Sequence, residues 1–178
     1  MQDETEAILG RHLDGDFIAF PMAENPAYMF QIRGIELQFG VQYPPEFAAH
    51  VCGRFPGIYV EAKEAVWPRP KELDVGPFWS FLYALHTYTS VPESQPWMRL
   101  DAVAEEFQNM TGLKAAPILA IQGDADVYCA TPTGAIARFR HEGGELEPVD
   151  LNFWELFEEE VKALRERKDR KKAELEKK

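Results

Sequence analysis

The chain has few residues whose types and spacing could do chemistry. Its histidines stand at positions 12, 50, 86 and 141, and its cysteines at positions 52 and 129. A metal site or a catalytic pair built on one helix needs partners three or four positions apart. No histidine has such a partner, and His50 and Cys52, only two positions apart, point in different directions on a helix. The pattern favours structural histidines and predicts no bound metal and no cofactor.

An enzyme could instead assemble its site from residues that are distant in sequence. The combination that this chain allows is His50, His86 and Cys129, a thiol with two possible bases, which would suit a hydrolase. Cys129 lies in the strand-like run VYCA without a neighbouring base, so an inert core thiol is the favoured interpretation. Two isolated cysteines without a secretory context are typical of free thiols rather than of a disulfide. The hydrolase is therefore an alternative, and the main hypothesis is a chain without enzymatic activity.

The acidic run GDADVYCATPTG, residues 123–134, has some features of a calcium-binding loop. It lacks the third acidic position, the central glycine and the closing glutamate that such a loop needs. We therefore interpret it as a turn followed by a strand.

Residues 64–88, EAVWPRPKELDVGPFWSFLYALHTY, form the most aromatic stretch of the chain and contain three prolines. Prolines fix φ and remove backbone donors, which favours a stiff turn over a flexible linker. Aromatic side chains supply much of the energy of cores and of interfaces. We interpret the stretch mainly as a turn and a core strand. We also expect a protein-binding surface around Trp67, Arg69 and Asp74, where an aromatic ring and charges stand among prolines.

Charge is unevenly distributed along the 178 residues, whose net charge is −11. Residues 1–164 carry 11 basic and 26 acidic side chains, whereas residues 165–178 carry eight and four. A body this acidic repels phosphate backbones and attracts basic proteins, so we expect a basic protein partner and no nucleic acid. No apolar run approaches the ~20 residues of a membrane helix, and the acidic start MQDETEA lacks a signal peptide's basic region. We therefore expect a cytoplasmic protein without membrane contact.

Helix and strand patterns alternate through the first two thirds of the chain. The spacing of Asp3 and Glu6 is typical of a capping box and predicts a first helix, which a strand at 16–20 follows. Residues 26–39 fit both a helical face and an alternating strand, but the cap-like Asn25–Pro26 and the stop at Gly40 favour a helix. The next predicted elements are a helix from Pro44–Pro45, a strand at 57–61, a central strand at 78–87 and a helix over 100–110 that ends at Gly112.

The last third of the chain predicts hairpins and then a long helix. From residue 117 onward, short β-rich runs alternate with the turns GDA, TPTG and HEGGE, a pattern typical of a meander. Asn152 is a suitable cap for the final helix, whose apolar stripe is Phe153, Phe157, Val161 and Leu164. Apolar residues are scarce beyond this stripe, so we expect the basic end of the helix to run into solvent.

Two stretches of the chain resemble the SUKH superfamily. The run IELQFGVQYPPEF, residues 35–47, resembles the entry motif of that superfamily, and residues 117–161 resemble its ending of strands, glycine turns and a final helix. The positions that carry the resemblance are Glu36, Leu37, Gly40, Pro44 and Phe47 in the entry motif, and Gly123, Tyr128, Gly134 and Phe153 in the ending.

This resemblance implies a single α+β domain, with a curved, largely antiparallel sheet flanked by helices and a long C-terminal helix. It covers residues 26–164; residues 1–25 are interpreted as a helix-and-strand extension and residues 165–178 as a charged helical tail. Bacterial SUKH members resemble immunity proteins that neutralise toxins, often nucleases, and fungal members of the Smi/Knr type are scaffolding regulators of cell-wall synthesis. We expect a non-enzymatic protein that binds a toxin domain, with a regulatory scaffold as the alternative. The resemblance transfers no catalytic residue.

Overall fold

Five α-helices and seven strands follow one another along residues 3–178, the part of the chain that the computed structural model describes. The helices are α1 (Glu4–His12), α2 (Met29–Phe39), α3 (Pro45–Val51), α4 (Leu100–Thr111) and α5 (Phe153–Glu176). The strands are β1 (Phe17–Pro21), β2 (Ile58–Ala62), β3 (Ala84–Thr87), β4 (Ala116–Ile121), β5 (Val127–Ala130), β6 (Ile136–Arg140) and β7 (Glu145–Val149). The protein is an α+β domain that ends in a long C-terminal helix, as the sequence predicts.

The seven strands form one open sheet in which each strand pairs with the next one along the chain. All six pairings are antiparallel. Because β1 and β7 each have only one neighbouring strand, they are the two edges of the sheet. The predicted meander is confirmed as β4 to β7, and the turns between its strands lie where the glycine-containing runs predict them.

The two faces of the sheet have different cover. Helices α3 and α5 lie on one face, where His50 of α3 bonds to Thr87 of β3 and Glu160 of α5 bonds to Tyr128 of β5. Helix α4 lies on the other face, where Phe107 packs edge-on against Phe139 of β6 with ring centroids 5.1 Å apart. This second face is covered over β4 to β6 and carries exposed side chains over β1.

Within the ambiguous range 26–39, residues 29–39 form a helix, as the glycine stop favours, and the strand alternative is wrong. Gly40 ends α2 with φ = 67°, a conformation that glycine adopts without the steric cost of a side chain. The helix begins at Met29 rather than at Pro26. Its N-cap residue is Tyr28, whose backbone N–H donates to Gln31 Oε1 (2.9 Å).

The central strand predicted at 78–87 is only half correct. Phe78–Phe81 is a 3₁₀ turn that Pro77 precedes, and the strand begins at Ala84. The apolar run of the first half therefore belongs to a turn, and a short apolar run alone does not distinguish a turn from a buried strand.

The first turns of α5 beyond its apolar stripe pack against the protein, so the expectation that this basic end runs into solvent is wrong there; residues 176–178 are exposed. Lys168 is only 1% exposed, and its Nζ lies 2.8 Å from Asp14 Oδ2 and 2.9 Å from Asp16 Oδ2. Arg167 Nε donates to the carbonyl of Leu82 (3.0 Å). The acidic α1–β1 connection binds the tail, so α5 stays packed for at least one turn beyond its apolar stripe.

The strand of the predicted extension over residues 1–25 belongs to the same sheet, because β1 pairs with β2 over its whole length. Asp3 caps α1 by accepting the N–H of Glu6 (3.3 Å), and Asn152 caps α5 by accepting the N–H of Glu155 (2.9 Å). The predicted caps at Asp3 and Asn152 are thus confirmed, whereas Tyr28 rather than Asn25 precedes α2.

Candidate protein-binding surface

Trp67, which the sequence places at a partner surface, lies in the core. It is fully buried, and its Nε1 donates to the carbonyl of Ser80 (3.1 Å). Its ring packs edge-on against those of Trp79 and Tyr83. The expectation that Trp67 contacts a partner directly is therefore wrong. The sequence does not reveal that the chain folds back over this ring.

Arg69 fixes the base of the loop that follows Trp67. Its guanidinium donates to the carbonyls of Trp67 (2.8 Å) and Ala62 (2.6 Å) and lies 4.1 Å from the centre of the Tyr83 ring. It also pairs with Glu61 (3.4 Å) at the surface of β2. Arg69 therefore holds loop and sheet together and borders the second face of the sheet.

Asp74 lies at the tip of the same loop. Its Oδ2 accepts the N–H of Lys71 (2.6 Å), which closes a turn that leaves Leu73 and Val75 almost entirely exposed. The sequence placed the partner surface at three neighbouring positions, whereas the structure buries the first, packs the second against the sheet and exposes the third.

A row of rings runs across β1, β2 and β3 to the turn before α4; we call it the aromatic ladder (Phe20, Tyr59, His86 and Trp97). The Phe20 and Tyr59 rings stack with centroids 4.8 Å apart, and the Tyr59 and His86 rings lie 6.2 Å apart and nearly parallel. Trp97 stands almost perpendicular to His86 at 5.7 Å and closes the row. The ladder thus presents four adjoining rings on one face.

The sheet register explains why these rings meet. Phe20 is directly opposite Tyr59, and Tyr59 is directly opposite His86, so the three side chains project from the same face. Trp97 comes from a 3₁₀ turn, Pro96–Met98, that precedes α4. Strand pairing thus gathers three of the rings, and the turn before α4 adds the fourth.

The ladder is open to solvent at both ends. Phe20 is 39% exposed, Trp97 is 46% exposed, and Ile18, next to Phe20 on the same face of β1, is 42% exposed. Exposed apolar side chains that adjoin one another are a mark of binding surfaces, whereas single ones are ordinary.

The inner rings are neutral and partly desolvated. Burial lowers the pKa of His86 to about 4, and its Nδ1 is buried without a hydrogen-bond partner among the described residues. The pKa of Tyr59 is raised by burial and by its hydrogen bond to Glu61 (2.9 Å). The ladder therefore carries no positive charge near neutral pH.

Carboxylates flank the ladder. Glu24 and Glu93 line a shallow cleft of about 290 Å³ beside Pro21 and Met98, the chain neighbours of Phe20 and Trp97. Neither carboxylate has a hydrogen bond or ion pair within residues 3–178. The free charge beside the ladder is thus negative, which suits a basic ligand.

The structure does not bring His50, His86 and Cys129 together. His50 bonds to Thr87, whose side chain lies on the opposite face of β3 from its neighbour His86. Cys129 is on β5, two strands away from β3, and pairs with Pro117 rather than with the Ala120 that faces His86. Burial raises the pKa of the Cys129 thiol to about 12, which opposes its use as a nucleophile.

The carboxylates near the GDA turn are paired with arginines. Asp124 of the GDA turn and Asp126, which follows that turn, pair with Arg138 (3.4 and 3.3 Å), and Asp126 also pairs with Arg140; all four line a cleft of about 730 Å³. Within residues 3–178 no group of three or more His, Cys, Asp or Glu side chains is placed to hold a metal ion. No helix of the same described part is long and apolar enough to cross a bilayer.

Sequence reasoning missed the ladder. Ile18 and Phe20 stand two positions apart in the first strand, but Phe17 and the residues beside Tyr59 and His86 (Ile58, Val60 and Leu85) are apolar as well, so the ring-bearing face does not stand out. Alternation shows which residues share a face, but strand pairing decides which rings meet.

No family model, no curated protein and no solved structure matches this chain.

Proposed function

We propose that this chain is a non-enzymatic protein-binding domain and that the aromatic ladder is its contact surface. The observation that carries the proposal is the exposure of Phe20 and Trp97 at the two ends of a row of stacked rings on the uncovered part of the sheet. Aromatic rings in such a position supply large contact area with few rotatable bonds, which is typical of binding hot spots.

The proposed partner is a basic protein. The body of residues 1–164 has 15 more acidic than basic side chains, and the free carboxylates Glu24 and Glu93 lie beside the ladder. Long-range attraction would speed the encounter with a basic surface, and the rings would then exclude water at the contact. The same acidic side chains would repel the phosphates of a nucleic acid.

Within this class, the resemblance of residues 26–164 to the SUKH superfamily supports a cytoplasmic immunity protein that binds and neutralises a toxin domain. The charge argument is consistent with a toxin of the nuclease kind, since proteins that act on phosphate backbones carry basic surfaces. A regulatory scaffold of the Smi/Knr type is the alternative, and the identity of the partner distinguishes the two.

Affinity capture from the cytoplasm of the native host tests the proposal. Three forms of the protein are compared: wild type, the double variant Phe20→Ala with Trp97→Ala, and the control Leu37→Ala. Leu37 is 88% exposed on α2, so the control removes an exposed apolar side chain elsewhere.

We expect wild type and control to capture the same basic protein and the double variant to lose it. Equal capture by all three forms would refute the ladder as the contact surface. Toxicity of the captured protein, when expressed alone and relieved by this chain, would support immunity; a harmless cellular protein would support the scaffold.

A further inference from the structure

The edge strand β1 leaves backbone groups unpaired beside the ladder. Asp16 accepts the N–H of Lys63 (2.8 Å) and Met22 donates to Gly57 (3.1 Å), so even-numbered residues direct their backbone groups toward β2. The odd-numbered Phe17, Ala19 and Pro21 direct theirs away from the sheet. Within residues 3–178 these outward groups have no hydrogen-bond partner in the protein.

This edge is accessible and continuous with the ladder. Four of the five residues of β1 are exposed, and only Phe17 is buried. Phe20 is the outermost ring of the ladder, stacked on Tyr59 on one side and exposed on the other. A side chain on a strand added outside β1 would lie over the free side of Phe20, at the cross-strand distance that Phe20 keeps from Tyr59.

The charges around the edge select the kind of segment. At the Phe17 end, Asp16 is already neutralised by Lys168 and Lys172. At the Pro21 end, Glu24 lines the cleft without a partner. Glu24 thus leaves a free negative charge at the Pro21 end, and together with the excess of acidic side chains over residues 1–164 it favours a segment that carries Lys or Arg.

We propose that β1 takes up an extended, basic segment of the partner as an eighth strand of the sheet. This inference rests on the proposed function and names the chemistry of the ligand: alternating residues, a backbone that bonds to Ala19, and a ring or cation that stacks on Phe20. A second copy of this chain is a poorer occupant, because two chains of net charge −11 repel each other.

A pair of synthetic peptides tests this inference without knowledge of the natural partner. The probe is the acetylated and amidated peptide VKVKVKV, and its matched control is VEVEVEV. Binding is measured by NMR titration of the labelled full chain at low salt. We expect the lysine peptide to bind at least tenfold more tightly than the glutamate peptide and to slow exchange of the Ala19 amide proton.

Two variants separate strand addition from contact with the rings. Ala19→Pro removes the outward N–H at an edge position where proline is tolerated, and Ala19→Val keeps that N–H. We expect at least fivefold weaker peptide binding for Ala19→Pro and little change for Ala19→Val. Should Ala19→Pro not fold, exchange of the Ala19 amide in the wild-type complex decides the question.

The outcomes are distinct. Unchanged exchange at Ala19 under saturating peptide, full binding by a folded Ala19→Pro, or no binding of the lysine peptide would overturn strand addition. In that case, loss of partner capture by the Phe20→Ala, Trp97→Ala protein would still support the proposed function. Unchanged capture would refute the ladder as the contact surface as well. Dimerisation of the free chain that Ala19→Pro abolishes would overturn the basic segment in favour of a second copy.

Discussion

The ring of Phe20 on the edge strand β1 stacks on the ring of Tyr59 on β2, with centroids 4.8 Å apart and planes 19° apart. The pair is fixed by strand register, since the two residues are directly opposite each other. Binding to such a surface orders few new side-chain torsions, because the rings already support one another. The stacked pair therefore forms a preorganised end of the aromatic ladder.

Kinetics with the captured partner should separate charge from ring contact. Raising the salt concentration from ~0.05 to ~0.5 M should slow association several-fold and change dissociation much less, because the Debye length falls to a few ångströms. Trp97→Ala should instead speed dissociation with little effect on association. Surface-binding or stopped-flow measurements distinguish the two effects. A salt-independent association rate would remove the electrostatic part of the account.

Trp67 should behave as a core residue. We expect Trp67→Ala to lower the free energy of unfolding by about 3–5 kcal/mol, because it removes a fully buried ring and leaves a cavity. Asp74→Ala, at the exposed tip of the same loop, should cost less than about 1 kcal/mol. Urea unfolding of both variants measures the difference. Near-wild-type stability of Trp67→Ala would contradict the buried position.

Lys168 should anchor the end of α5. Replacing it with Met should cost about 2 kcal/mol, since Asp14 and Asp16 lose their shared cation while remaining partly exposed to water. The matched control is Lys162→Met, an exposed position on the same helix, which should change stability by less than about 0.5 kcal/mol. Equal effects of the two substitutions in urea unfolding would show that the tail is not anchored there.

His50 should make stability depend on pH. Burial among the rings of α5 lowers its pKa to about 3, while its ring bonds to Thr5 (2.8 Å) and Thr87 (2.7 Å). Between about pH 6.5, the unfolded value, and pH 3 the unfolded chain binds a proton that the folded chain excludes, so stability falls as pH falls. At pH 5 this single group should cost about 2 kcal/mol relative to pH 8.

The control for that titration is His50→Gln, which cannot bind the proton. The variant should be less stable than wild type at pH 8, because its amide is a poorer fit between the two threonines. It should nevertheless lose less stability between pH 8 and pH 5 than wild type does. An equal loss of stability in the two proteins would contradict the assignment of this pH dependence to His50. The loss would then come from His86 and the carboxylates.

Much of the fold can be predicted because local signals agree with the tertiary structure. Gly40 ends a helix, Asn152 starts one, and the turns of the meander contain the glycines that need positive φ. At Gly123 a side chain would also meet the carbonyl of Phe81 at 2.9 Å, so conformation and space both require glycine there. The conformation at such positions depends on a few residues that are neighbours in sequence, so it can be predicted from the sequence.

The candidate site depends on contacts between distant residues and is not visible in that way. Trp67 is buried because the 3₁₀ turn at 78–81 folds back to it, and Lys168 is buried because the α1–β1 connection supplies two carboxylates. From the sequence alone, Trp67 is interpreted as a contact residue at the surface and Lys168 as a cation exposed to solvent. Strand register likewise decides that Phe20, Tyr59 and His86 meet, and no local pattern specifies it.

Site-specific photo-crosslinking in native cells tests the central claim most directly. A benzophenone side chain replaces Ile18, which lies beside Phe20 on the open face without being part of the ladder, and Met110, an exposed residue of α4, is the control position. The account predicts that position 18 crosslinks to one basic protein and that position 110 does not. Crosslinking of the same protein from position 110, or only from there, would contradict the aromatic ladder as the binding surface.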